Sequence, residues 1–491
     1  MTTTSDYVIV GGGSAGAVLA SRLSENVDRT VALLEAGSDS LPESAREPGE
    51  WRNLPGSEVD WGYSTVAQEH ANQRQIAYPR GKAVGGSSAI NGMMHVWPQP
   101  EDFQDWPASA SVSWQFEDIL PFLQKSETYI GAAGTVRRGS AGPLRVQEEP
   151  ANADTDAALD AFASIRNTWI GRFPLAIAHD VRVTVADAYL PSKVRDRSNL
   201  TLLDNATATR LLFNNAGERC IGVEYARGGD THVILARREV ILSAGVIGTP
   251  QLLQVSGIGD AALLKSLHIP LVVDAPEVGR NLRDHPLLVM VYPSKWPLQP
   301  AAQRVEAGAL IFSSEDAAEP DLQLFVMNNV ASNGQTAFCI GVSVIKPESI
   351  GTVSIRSANV ATPPAIDPNL LGQAEDVKRL IAGVGLVRGL ATNTALARYM
   401  MFEAVPGLQA DTDSDLEHRI REAVGFYWHG VGTARMGEDA SAVVDAELRV
   451  RGVAGLRVAD AAVMPTIVRA NTNATVLAIA ERAAKFIAAA Q

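Results

Sequence analysis

The first residues whose types and spacing can do chemistry are glycines. Asp6-Tyr7-Val8-Ile9-Val10 runs into Gly11-Gly12-Gly13-Ser14-Ala15-Gly16, so that Gly11, Gly13 and Gly16 fit G-x-G-x-x-G. The pattern lies between an apolar stretch, Tyr7 to Val10, that reads as a buried strand and a segment, Ala15 to Leu23, that reads as a helix. Glycines there let the backbone turn tightly and approach a pyrophosphate, whose charge meets the amides at the positive end of the helix. A second strand pattern, Thr30 to Leu34, ends in Glu35, nineteen residues after Gly16, where a carboxylate can hold a ribose hydroxyl. An acid at that position disfavours a 2′-phosphate, so FAD or NAD is expected ahead of NADP. Glycine triplets alone are often only turns; strand, helix, second strand and acid in this order are a dinucleotide fingerprint in its context.

The elements that must position such a site read more coarsely. With 491 residues, 46% of them hydrophobic and 20% charged, the chain can bury more than one core, which predicts two interleaved domains. A net charge of −13 argues against a nucleic-acid face or an anionic membrane surface as partner and leaves the substrate open. Cys220 and Cys339 are too few for a disulfide framework and read as two buried thiols. The fingerprint begins close to Met1, leaving no room for a secretory signal, and no uncharged apolar run approaches bilayer-spanning length, so a cytoplasmic enzyme is the default expectation. Near the other end, Leu456 to Asp460 reads as a buried strand ending in an acid, and Val476 to Ile487 as a helix with an apolar face and a polar edge. Ligands sit at strand ends in open α/β sheets, so both ends of the chain are expected to build the nucleotide domain. Val344 to Ser357 alternates like strands and a turn and is expected in an antiparallel sheet that floors a substrate site.

Five further segments, in order along the chain, carry a resemblance. They are Tyr78-Pro79-Arg80-Gly81-Lys82-Ala83-Val84-Gly85-Gly86-Ser87-Ser88-Ala89-Ile90-Asn91-Gly92-Met93; Gly245-Val246-Ile247-Gly248-Thr249-Pro250-Gln251 with the following Leu252 to Gly259; Val278-Gly279-Arg280-Asn281-Leu282-Arg283-Asp284-His285; Trp428-His429-Gly430-Val431-Gly432-Thr433-Ala434-Arg435-Met436-Gly437; and Val458-Ala459-Asp460-Ala461-Ala462-Val463-Met464-Pro465. Together they resemble the signatures of the glucose-methanol-choline (GMC) oxidoreductases, an FAD-dependent alcohol-oxidising family. Chance does not supply five ordered motifs. The fold expected is α/β: a Rossmann-like FAD-binding domain, residues 1–95, 200–290 and 440–491, interleaved with an α+β substrate domain built on an antiparallel sheet, residues 96–199 and 291–439.

What the resemblance implies can be placed residue by residue. Beside the fingerprint, Ser14, Ala15, Glu35 and Ala36 are expected at the cofactor, as are Arg80, Gly86, Ser87 and Met93 from the first motif. Asn91 and Gly92 correspond to positions near the flavin ring, where small residues permit close approach and amides stabilise negative charge on the reduced ring. Asp460 and Ala461 correspond to positions at the phosphate and ribityl region; Ala208, Ala244, Gly245, Trp428, Asn471 and Thr472 complete the expected contacts. Some family members attach FAD covalently through a histidine in the first motif; here that position is Ile90, which implies noncovalent FAD.

Among eight histidines, His429 falls at the family's catalytic position, and an imidazole is suited to take a hydroxyl proton while the carbinol hydride leaves for flavin N5. Asn471 is the expected partner: its amide can hydrogen-bond the reacting oxygen but cannot serve as the base. Asn473, two residues on, is the nearby alternative; Asn471 is favoured by its spacing to the following helix, which Asn473 is expected to cap. His285 is expected to cap or pack, and His70, His232, His268 and His418 to be structural. His95 and Trp97 either line the substrate entrance or pack in the core; Tyr427 and Trp428 are expected to form an apolar wall suited to an aryl or furan alcohol, as in hydroxymethylfurfural-type and pyridoxine-type oxidases. No acidic and aromatic cage for a quaternary ammonium is evident, which disfavours choline. The segment before Ser164 to Tyr189 is short by about one loop, implying a more open pocket or a missing lid. No metal is expected. The function expected is oxidation of a primary alcohol to the aldehyde with O2 as acceptor; alternatives are a dehydrogenase with a quinone-type acceptor, a hydroxynitrile lyase, and a non-catalytic FAD-binding protein.

Overall fold

The computed structural model describes residues 2–490 apart from 110–111, 132–136, 149–152, 299–304, 331–335, 408–409 and 411. Two sheets dominate. In the first, Thr2–Val10 lies between Val31–Leu34 and the long strand Asp230–Leu242, parallel to both, and Val31–Leu34 pairs in turn with Leu200–Leu203. Val31–Leu34 is buried throughout, as a continuous apolar run must be when both faces of a parallel sheet are covered. Asp230–Leu242 also forms an antiparallel meander with Cys220–Arg227 and Thr207–Phe213, and its last residues pair with Leu456–Val458. The strand before Asp460 thus joins the sheet that the first ten residues begin.

The helix Ser14–Leu23 packs on this sheet beside Thr472–Ala489. The C-terminal helix is buried almost all round, so the polar edge expected at Glu481 and Arg482 is not at the surface. Glu481 instead receives Arg22 at 2.7 Å, Lys125 at 2.8 Å and the Tyr189 hydroxyl at 2.9 Å. Gly16 shows why glycine ends the fingerprint: a Cβ there would lie 1.9 Å from the Gly11 carbonyl oxygen, where strand and helix touch.

The second sheet runs Gly425–Phe426, Pro286–Pro293, Thr336–Val344, Leu322–Val330, Ala307–Ile311, Asn167–Arg172, antiparallel throughout. In Pro286–Pro293 burial alternates with period two: Leu288 and Met290 face a core shared with the helix Ala374–Asn393, while Leu287, Val289 and Val291 face a cavity. Gly341 lets Phe325 lie flat across this face, because a Cβ there would meet the Phe325 ring at 2.1 Å. The segment Val344 to Ser357 departs from its expected place. Val344 ends a strand of this sheet, but Thr352–Ser354 pairs with Ala365–Asp367 in a separate ribbon, and Ile345 to Gly351 between them turns away from the floor. Both cysteines are buried. No described helix is long and apolar enough to cross a membrane.

Candidate active site

A cavity of about 1080 Å³ separates the two sheets. At one end its wall is backbone. Helices Ser14–Leu23, Gly245–Val255 and Thr472–Ala489 all begin there, and none has a side-chain cap from its own N-cap residue, so their partial positive ends point into the space. A Cβ on Gly86 would come 2.6 Å from the Gly13 Cα, so glycines keep this cradle open. Glu35 accepts the Gly12 amide at 2.7 Å and the Gly37 amide at 2.8 Å, and burial raises its pKa to about 7. Asp460 takes the Gly245 and Ala462 amides, each at 2.8 Å, and the Thr249 hydroxyl at 2.6 Å. The open starts of Ser14–Leu23 and Thr472–Ala489, glycine clearance and an acid at the ribose position fit a dinucleotide, while Asp460 caps the start of Gly245–Val255.

The expected cofactor residues gather on this wall. Gly11, Gly13, Ser14, Ala15, Glu35 and Ala36 line it, with Arg80, Gly86, Ser87, Asn91, Gly92 and Met93 beside them. Ala208, Ala244, Gly245, Asp460, Ala461 and Thr472 line it too, and so does Ile90; Gly16 does not, its place being the strand–helix contact. The loop Gly86 to Asn91 rests on Arg182, a residue that the sequence reading left without a role. Its fully buried guanidinium donates to the Asn91 carbonyl at 2.6 Å, the Asn91 side chain at 2.9 Å and the Ala45 carbonyl at 2.8 Å, and burial lowers its pKa to about 9. Met93 and Trp428, both on the cavity wall, hold φ at 62°, a region bulky side chains avoid unless their surroundings impose it.

The opposite end is built from side chains. His429 follows the short strand Gly425–Phe426; its Nε2 lies 3.0 Å from the Asn471 amide nitrogen, its Nδ1 lies 2.9 Å from the His285 Nδ1, and its ring stacks on Tyr427 with centroids 4.3 Å apart. The backbone amide of His429 donates to Asp284 at 2.7 Å. That carboxylate also accepts from the His285 amide and the Tyr78 hydroxyl, and burial pushes its pKa up to about 6. Burial, His285 and Arg80 together hold the His429 pKa well below the usual imidazole value, so the ring is neutral around pH 7. Tyr427, Leu287, Val289, Phe325 and Met327 continue the wall as an apolar face.

Of the two alternatives for His95 and Trp97 the structure shows the core, and the cap expected of Asn473 is not made. His95 and Trp97 do not line the cavity: Met94 pairs with Leu175 in an extended bridge whose alternation sends Met94 to the cavity and His95 into the core. His95 lies 3.3 Å from Glu127, the Trp97 indole donates to Glu127 at 3.1 Å, and Arg138 grips the same carboxylate at 2.6 Å. Burial pushes Glu127 upward, but Arg138 and His95 outweigh it and hold its pKa near 2. Asn473 does not cap the last helix; its side-chain oxygen accepts from the Ser14 hydroxyl at 2.9 Å, and Asn471 occupies the N-cap position while its side chain turns to His429. His285 is buried as expected of a packing residue, with its ring edge-on to His429. Among the described residues no cluster of three or more His, Cys, Asp or Glu could hold a metal ion.

Comparison with known proteins agrees with this geometry. The GMC oxidoreductase N-terminal model matches residues 5–287 and the C-terminal model residues 347–480. Choline oxidase of Arthrobacter globiformis is 36% identical over 520 aligned positions covering 99% of this chain and 94% of that protein; an acceptor-dependent alcohol dehydrogenase of Pseudomonas putida is 33% identical over 98% and 95%. Both alignments outrun the 491 residues of this chain, so parts of those relatives have no counterpart here. Pyridoxine 4-oxidase from Mesorbium loti superimposes with a TM-score of 0.91 at 31% identity over 98% of both chains. The chain therefore belongs to the GMC oxidoreductase family, the FAD flavoenzymes that act on alcohol CH–OH groups.

Proposed function

We propose that this enzyme oxidises a primary alcohol of aryl or furan type to its aldehyde, with His429 as the base and Asn471 as the group that holds the reacting oxygen. The observation that carries the reading is the His429–Asn471 pair, 3.0 Å apart on the cavity wall, between the loop that ends at Met93 and the apolar face of Tyr427, Leu287 and Phe325. The substrate hydroxyl takes the place of the Asn471–His429 bond, donating its proton to the unprotonated Nε2 of His429 and accepting from the Asn471 amide that turns to it, a bond that strengthens as negative charge develops on oxygen. FAD, held by the residues of the cradle, supplies the hydride acceptor at N5. It is held noncovalently, since the Ile90 side chain offers no nucleophile.

Wall chemistry supports a flat, apolar substrate and disfavours a cationic one, since Arg52, Arg80 and Lys82 are, among the described residues, the charged groups of the cavity besides two carboxylates. The carboxylates that line the cavity, Glu35 and Asp460, are engaged by backbone amides at the sheet's strand ends, and no described residue on the antiparallel face that lines the cavity is acidic. A quaternary ammonium lacks a counter-charge there, although a choline oxidase is among the relatives. Dioxygen is the proposed acceptor, so that one alcohol and one O2 yield one aldehyde and one H2O2.

Anaerobic mixing with matched benzyl, furfuryl and pyridoxine-type alcohols and with choline, followed at the flavin absorbance, tests the substrate class. The aromatic alcohols are expected to bleach the flavin and choline to leave it oxidised. Bleaching by choline alone overturns the substrate reading, and no bleaching by any alcohol overturns the reaction. Peroxide formed one for one with aldehyde in air supports O2; reoxidation only by a quinone assigns the acceptor otherwise.

A further inference from the structure

We infer that His285 is a positioning residue that fixes the proton of His429 on Nδ1 and so leaves Nε2 bare for the alcohol. The inference rests on the proposed reading of His429 as the base. The two Nδ1 atoms stand 2.9 Å apart with the rings at 87°, a geometry that requires one nitrogen to donate and the other to accept. The Asn471 side chain is oriented with its nitrogen toward Nε2 at 3.0 Å; an amide nitrogen only donates, so this orientation puts a lone pair on Nε2 of His429, and it is this tautomer that the 15N spectrum of the test reads. The proton of the neutral ring is then on Nδ1, and His285 Nδ1 accepts it. His285 in turn carries its own proton on Nε2.

The partner's neutrality matters as much as its position. A carboxylate on Nδ1 would draw His429 toward its charged form and fill Nε2 with a proton before substrate arrives. Here the nearby carboxylate, Asp284, is spent on the backbone amides of both histidines and on Tyr78, and the other charged or titratable groups facing the pair are Lys346, Arg80 and Tyr427. His285 is completely enclosed, and burial lowers its pKa to about 3. When the alcohol O–H bond breaks, its electron pair stays on oxygen and its proton goes to Nε2. Nδ1–H keeps its bond to His285, which shares the new positive charge without taking the proton.

The test uses the FAD-loaded enzyme with His285→Leu and His285→Asn, the latter keeping an acceptor near the position of Nδ1. Flavin content and thermal midpoint are measured first, then the limiting rate of anaerobic flavin reduction across pH, then the 15N-histidine spectrum. The Leu variant is expected to keep its flavin, reduce it about 10- to 100-fold more slowly and shift the ionisation that governs the rate, while the Asn variant recovers most of both. In the parent spectrum, the signal lost in His429→Ala should have a protonated Nδ1 and a bare Nε2. Parental rates and pH profiles in both His285 variants overturn the inference, as does a parent His429 protonated on Nε2. Equal loss of rate in both variants in step with flavin loss also overturns it, since that is the mark of packing alone. If His429→Ala reduces its flavin at the parental rate, the base itself is misassigned, a failure the His285 variants do not share.

Discussion

The two ends of the cavity are made of different material. Around Gly11 to Ser14, Gly86 and Gly245 the wall is main chain: glycines clear the space and helix starts supply the charge. Around His429 the wall is side chains brought from separate segments, with Leu287 on one strand, Phe325 on another, Tyr427 and His429 after a third, Asn471 at the start of the last helix, and Met94 from the loop behind, while His285 lies buried behind His429. A main-chain site is written in consecutive residues and tolerates almost no change of backbone. A side-chain site can be altered one group at a time while the cofactor stays in place.

That contrast can be broken by mutation. His429→Ala is expected to slow anaerobic flavin reduction by about 10²- to 10⁴-fold with flavin content unchanged, because the base is lost and the cradle is not. Glu127→Ala strikes neither end. Removing one partner from the buried group of Arg138, His95 and Trp97 should cost about 3–5 kcal/mol of stability in a denaturant titration, while the holoenzyme that survives keeps its reduction rate. A change in substrate affinity there would return His95 to the pocket.

The asparagine pair separates the ends most sharply. Asn471→Ala should raise the reduction barrier by about 2.7 to 4 kcal/mol yet preserve the pH profile, since an amide does not titrate. Asn473→Ala should instead loosen the cofactor, because its bond to Ser14, about 1 kcal/mol, ties the fingerprint helix to the last helix; the readout is flavin dissociation on dilution, with little change in rate. Exchange of the two phenotypes would reverse their roles. Proton uptake gives a further test. His285 has a folded pKa near 3, below its unfolded value of about 6.5, so the unfolded chain binds a proton that the folded one refuses. Its contribution is complete above pH 6.5 and falls by about 1.4 kcal/mol per unit as pH drops toward 3; His285→Leu should remove this part of the slope and leave that of His429, whose pKa is lowered as well.

Legibility in the sequence follows the same division. The glycine fingerprint, Glu35 and the late strand before Asp460 are read from contiguous patterns and the two-sheet plan from the resemblance; both sheets are present, but Pro286–Pro293 of the antiparallel sheet crosses the expected domain boundary at 290, and Thr352–Ser354 lies outside that sheet. His95 and Trp97 were ambiguous because alternation about an extended bridge decides which side each faces, and the bridging partner, Leu175, lies 81 residues away. Asn473 was misread because Asn471 gives up the ordinary work of an N-cap asparagine, and the hydrogen bond it gains is to a residue 42 positions earlier. Asp284 and His285 stood inside a recognised motif, yet only the fold brings them to His429. The apolar face could have been found, since Leu287, Val289 and Val291 alternate in plain view.

Ser14 reaches its partner Asn473 across 459 positions, and Arg22 reaches Glu481 across the same span. The glycine turn is thus completed by a segment 459 positions further along the chain, and the two must dock before the cradle is whole. That last helix follows Asn471, so the same docking sets both the clasp beside the nucleotide cradle and the amide proposed to face the alcohol. Undocking of the helix is expected to cost the cofactor and the reaction together.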